Sequence, residues 1–135
     1  MDVKSYDEFA TWTASDDPAT IDGKAAALEL FCGFHSLDPH QLVVEAQGAK
    51  KTGEWLRGYT AEQRIRQFYG HLTTPVEAGG LGYERDDARA CWRRVRSFYT
   101  RHGVETKIEA IASWEANANM RSLRSESFET WDWKA

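Results

Sequence analysis

Apolar residues in this chain recur at steps of three and four, and almost nowhere at steps of two. At 3.6 residues per turn such steps place side chains on one side of a helix, so the pattern predicts helices throughout. Ser5-x-x-Glu8 has the form of a capping box ahead of Phe9 and Trp12, and predicts a short first helix. Asp17 as cap and Pro18 in the first turn open a second helix running to about His35. Ile21, Ala25, Leu28, Phe31 and Cys32 form its core stripe. Asp38-Pro39-His40-Gln41 repeats that logic and opens a helix carrying Leu42, Val43 and Ala46, closed by Gly48. Thr60-x-x-Gln63 is a further capping box before Ile65, Phe68, Tyr69 and Leu72. Pro75 and three glycines make Thr73 to Tyr83 a loop. The strongest helical pattern runs from about Glu84 to His102 and stops at Gly103. Ala88, Cys91, Trp92, Val95, Phe98, Tyr99 and His102 fill one arc of it. Ile108, Ile111 and Ala112 suggest another helix, and 117–135 is polar apart from Met120, Leu123, Phe128, Trp131 and Trp133.

The fold class predicted is all-α: a single compact bundle of four to five helices. Residues 1–16 form an amino-terminal extension with a short helix, 17–104 the bundle, and 105–135 a carboxyl-terminal helix and tail. A chain of 135 residues, 41% apolar and 28% charged, suits one globular domain. No apolar run approaches the roughly 20 residues that span a bilayer. MDVKSYDEF has no secretory apolar region. The expectation is a cytoplasmic protein without a membrane partner. Cys32 and Cys91 lie in apolar helical stretches with no metal-type spacing, which reads as two buried thiols.

Charge changes the picture more than composition does. The net charge is −4, yet residues 1–49 hold two Lys/Arg against nine Asp/Glu, and residues 50–102 hold eleven against six. Residues 103–135 hold four against six. This is one positive region on an acidic body. On the Glu84–His102 helix, Arg85, Arg89, Arg93 and Arg96 fall within about 80° of one another, roughly 120° from the middle of the apolar arc. One side of the helix packs and an adjoining side carries guanidinium groups, which reach both phosphates and guanine edges. The plainer reading is a solvated face, partly neutralised by Asp86 and Asp87. Lys50, Lys51, Arg57, Arg64 and Arg66 add earlier positive charge, and each is equally ordinary surface.

Other chemistry finds little footing. His35, His40, His71 and His102 are scattered over separate elements, so no metal site is expected. No nucleophile elbow occurs, and Gly79-Gly80-x-Gly82 lacks the Lys-Ser/Thr of a phosphate loop and reads as a flexible turn. No cofactor and no small-molecule substrate is expected. Trp12, Trp55 and Trp92 read as core or half-buried side chains.

Four places then point to a family. Thr20, Leu28, Phe31 and Phe34 lie in the opening helix. Leu37-Asp38-Pro39 is followed by Leu42, and Arg66-Gln67-Phe68-Tyr69 by Leu72. Ala90-x-x-Arg93-x-x-x-Ser97-Phe98-Tyr99-x-x-His102-Gly103-Val104 ends in the most specific piece, SFYTRHGV. Over Thr20–Val104 the chain resembles the SAM-like core-binding domain of tyrosine recombinases, the phage-type integrases, and archaeal integrase-like proteins above all. The resemblance departs at Lys24, where the family often has an aromatic residue, and in 48–59, which aligns poorly. Beyond Val104 the chain does not resemble the start of a catalytic domain. The Arg…Lys…His-x-x-Arg…Tyr set is absent, so strand cleavage is not expected, and the chain is either a fragment or a stand-alone DNA binder.

The resemblance implies a helical clamp on double-stranded DNA, serving site-specific recombination or integration. It implicates Arg85, Arg89, Arg93 and Arg96 in the major groove, with Lys50 and Lys51 more weakly; Arg64 and Arg66 are further candidates from their charge alone. It also implies protomer contacts through carboxyl-terminal helices, hence a homo-oligomer on DNA, with Glu105–Trp114 as a candidate surface. The alternative of another class is a helical protein–protein adaptor that uses Trp114, Trp131 and Trp133 as anchors. A small enzyme has no supporting cluster.

Overall fold

The computed structural model describes residues 2–48 and 54–106, with 54–59 as backbone alone. The described chain is an all-α bundle without strands. A 3-10 turn, Val3–Ser5, leads into α1 (Asp7–Trp12), α2 (Pro18–His35), α3 (Pro39–Gly48), α4 (Glu54–Thr73) and α5 (Arg85–Arg101). The expected helix near Ile108–Ala112 lies outside the described residues.

Local chemistry explains most of the boundaries. The Asp17 carboxylate accepts from the Thr20 amide at 2.8 Å, with Pro18 next to it, so α2 begins where its first free N–H groups find a partner. At α3 the capping box is reciprocal. The Gln41 amide donates to the Asp38 side chain at 2.7 Å, and the Asp38 amide donates to the Gln41 side chain at 2.9 Å. α5 ends in Gly103 at φ 78°, with Val104 N–H donating to the Tyr99 carbonyl at 2.9 Å and Gly103 N–H to Thr100 at 3.0 Å. That double closure needs a left-handed residue, and it folds Val104 into the core. α2 closes in the same way through Ser36, at φ 55°.

Two expected caps do not form. Ser5 donates its hydroxyl to the Asp2 carbonyl at 2.8 Å, while the Glu8 carboxylate is engaged by His40 at 2.7 Å. Helix α1 therefore starts at Tyr6 with no side-chain cap. Thr60 lies inside α4, which begins at Glu54 rather than at a Thr60 cap. A third correction concerns the glycine cluster, which is no flexible turn. Gly82 N–H donates to the Thr74 carbonyl at 2.8 Å, Tyr83 N–H to Leu72 at 2.7 Å and Leu81 N–H to His71 at 3.1 Å. Gly79 and Gly82 stand at φ 94° and 65°, and a Cβ on Gly80 would lie 2.2 Å from the Thr74 oxygen. Gly80 is required because the turn closes too tightly for a side chain, and Gly79 and Gly82 because their φ is positive.

Helix α5 packs along α4 and α2, α3 lies on α4, and α1 touches α3 and α5. One core fills the centre. Phe31, Phe68, Tyr99 and Phe98 are its largest fully buried side chains, surrounded by Leu28, Leu42, Ile65, Leu72 and Val95. Phe31 meets Phe68 and Tyr99 edge-on, with ring centres 5.0 and 6.0 Å apart. Val3, Phe9 and Trp12 belong to that same core, so the amino-terminal extension is built into the bundle. Cys32 and Cys91 are buried free thiols, and burial pushes them up to about 12 and about 11. No helix among the described residues is long and apolar enough to cross a membrane.

Candidate nucleic-acid interface

Helix α5 is unbroken from Arg85 to Arg101, and Ala88, Cys91, Trp92, Val95, Phe98 and Tyr99 are all buried. The apolar arc faces α2, α4 and α1, and the flank carrying Arg85, Arg89, Arg93 and Arg96 adjoins that packed side. Arg85 and Arg93 are exposed, and Arg89 and Arg96 are half-buried. The Arg93 and Arg96 guanidinium carbons each lie 5.8 Å from the centre of the Trp92 ring. An aromatic face attracts a cation and limits its rotamers, so these two charges are held in place along the helix. Trp92 itself is buried, and its indole N–H has no hydrogen-bond partner among the described residues. Asp86 and Asp87 enter no ion pair among the described residues.

The other candidates separate. Arg66 is exposed on α4. Arg64 is turned inward, where its guanidinium grips the Glu45 carboxylate of α3 through two hydrogen bonds, one from Nε at 3.0 Å. Its Nη1 also donates to Nδ1 of His35 at 3.2 Å, while His35 Nε2 donates to the Arg64 carbonyl at 2.9 Å. Burial, aided by the adjoining guanidinium, holds the His35 ring below the ordinary imidazole range, in keeping with a neutral ring that accepts at one nitrogen. Arg64 therefore ties α2, α3 and α4 together, and its charge is spent on Glu45. Lys50, Lys51, Trp114, Trp131 and Trp133 lie outside the described residues, as do the side chains of Trp55 and Arg57.

Arg94 and Arg101 lie on another flank of α5 by helical angle. Arg94 lies over Gly23 of α2, in a groove between the two helices. The histidines have separate duties. His40 pairs with Glu8, which raises the imidazole and lowers the carboxylate. His102 Nε2 donates to the Glu8 carbonyl at 3.0 Å, and His71 stacks on Phe34 at 4.6 Å. Among the described residues no group of His, Cys, Asp and Glu is arranged to hold a metal ion. Sequence reading missed Trp92 as the support beneath Arg93 and Arg96. The spacing Trp92-x-x-x-Arg96, at i and i+4, is the signal that could have revealed it for Arg96, and no such spacing signals Arg93.

Comparison with family models, with curated proteins and with solved structures finds no match.

Proposed function

We propose that this protein is a DNA-binding helical module that lays the arginine flank of α5 against duplex DNA. Contact is mainly with phosphates, with limited reading of base edges. The observation that carries the reading is the division of α5 into one fully packed side and an adjoining side of four arginines, two of them resting on Trp92. A rigid helix of 17 residues is about 25 Å long and fits the major groove. A guanidinium offers a planar fork to phosphate oxygens, and its weak hydration favours such contacts over those of an ammonium. The sequence resemblance of Thr20–Val104 to tyrosine recombinase core-binding domains supports a role for such a module in site-specific recombination or integration, as a binder rather than as the cleaving part.

The test is a titration of a short duplex at several salt concentrations. Binding weakens steeply with salt, the logarithmic slope being about −0.9 per phosphate neutralised. Changing Arg89 and Arg93 together to Glu abolishes binding and leaves the helical circular dichroism intact. A double variant that keeps its fold and still binds the duplex overturns the assignment.

A further inference from the structure

A groove of about 470 Å³ separates α2 from α5 on the side of the bundle away from the arginine flank. Small residues line it, Gly23, Ala26 and Ala27 on α2 and Ala90 on α5, together with Leu30 and Tyr83, and the Arg94 guanidinium lies over Gly23. Ala26 and Ala90 are exposed. Two opposite charges line the same groove, Asp87 and Arg94 of α5. They are seven residues apart, so they share one side of the helix at a separation of about 10.5 Å along its axis. Neither takes part in an ion pair among the described residues.

The placing of these charges selects the occupant. Their midpoint falls between Ala90 and Cys91, which also line the groove. A two-fold axis through that point sets Asp87 of one copy opposite Arg94 of the other, and Arg94 opposite Asp87, with the small residues between them. A surface that complements itself under a two-fold rotation is the property of an isologous dimer interface. Ala90, small and exposed, lets the two α5 helices approach closely, since interaxial distance is set by the side chains at the crossing. We propose that a second copy of this chain occupies the groove, antiparallel along α5, with two reciprocal Asp87–Arg94 ion pairs. Ion pairs between exposed side chains contribute little each, so association is weak and concentration-dependent.

The arginine flank lies roughly 150° around α5 from Asp87 and Arg94. Dimerisation leaves both flanks open, and the two activities are separately measurable. Sedimentation equilibrium without DNA tests the proposal, and its outcome has no bearing on duplex binding. The native chain shifts from monomer towards dimer mass as concentration rises. Asp87→Arg alone and Arg94→Asp alone are each monomeric, because like charges then face each other. An equimolar mixture of the two dimerises, as does the chain carrying both changes, because each restores opposite charges across the axis. Ala90→Arg, which sets a charge against its own copy near the axis, is monomeric with its helical signal retained. A native chain that stays monomeric at all concentrations overturns the proposal. So does a mixture of the two single variants that fails to associate.

Discussion

Tyr99 carries the largest fully buried side chain in the molecule, and its hydroxyl has no hydrogen-bond partner among the described residues. Burial drives its ionisation far above the ordinary tyrosine range, so the group stays neutral and simply lacks a partner. A buried hydroxyl left unpaired costs about 1–3 kcal/mol. Tyr99→Phe keeps the ring that meets Phe31 and removes only the oxygen. The expected outcome is a stability gain of about 1 kcal/mol in chemical denaturation, with unchanged cooperativity. A loss of stability would show that the hydroxyl is satisfied in solution. Single residues also mark the limit of sequence reading. Asp17 and Asp38 were legible because a cap and its amide lie three residues apart. Ser5-x-x-Glu8 has the same form and fails, because His40, 32 residues further on, claims the glutamate. Arg64 looked like surface charge because its partner Glu45 sits 19 residues away on another helix.

At the level of elements, the helices were legible because each buries one stripe, and stripes survive as periodicity in the chain. α2 and α5 were expected at nearly their observed bounds. α4 begins earlier than expected because Thr60 has the composition of a cap inside a segment that is already helical. The connection between α4 and α5 was placed correctly but its rigidity was not visible. Composition shows that glycines permit a turn, and only the folded backbone shows how close Thr74 comes to Gly80. This gives an element-level prediction. Gly80→Ala places a Cβ against backbone oxygen at 2.2 Å, and that oxygen already accepts from Gly82. The turn must open to admit it. A destabilisation of about 2 kcal/mol or more is expected, seen as a fall of several degrees in Tm. A Gly80→Ala chain as stable as the native one would mean that the turn is looser than described.

Across the whole molecule, two histidines respond to pH in opposite senses. The His40 imidazole is raised by its bond to Glu8, so folding favours the charged ring. That contribution is present below the ordinary histidine value of 6.5 and is lost as pH rises through the higher folded value. Glu8 is lowered by the same bond, so its share is lost only in stronger acid, as pH falls through its folded value below 4.5. His35 is lowered by burial, so folding favours the neutral ring, and stability declines as pH falls through 6.5. Going from about pH 8 to about pH 5, the His40 pair strengthens the α1–α3 contact while the His35 hub loosens. His40→Ala steepens the loss of stability towards acid, and His35→Phe flattens it, both read from denaturation midpoints across that range. Identical pH profiles for the two variants would contradict the assignment. The arginine flank is a property of this same scale. Its angular spacing was plain in the chain, whereas the exposure of each arginine, full at Arg85 and Arg93 and partial at Arg89 and Arg96, was fixed only when α2 and α4 took their places against α5.

The Trp12 indole donates to the Ser97 hydroxyl at 3.1 Å across 85 residues, and His102 reaches the Glu8 carbonyl across 94. Such links carry a large loop-closure entropy and form late. On the ribosome, then, the first helix must wait. Phe9 and Trp12 emerge early with nowhere to settle, and their berth is completed only when the last turns of α5 leave the exit tunnel. The nascent chain therefore travels with two large aromatic rings incompletely covered until α5 has emerged, and closes like a buckle only then.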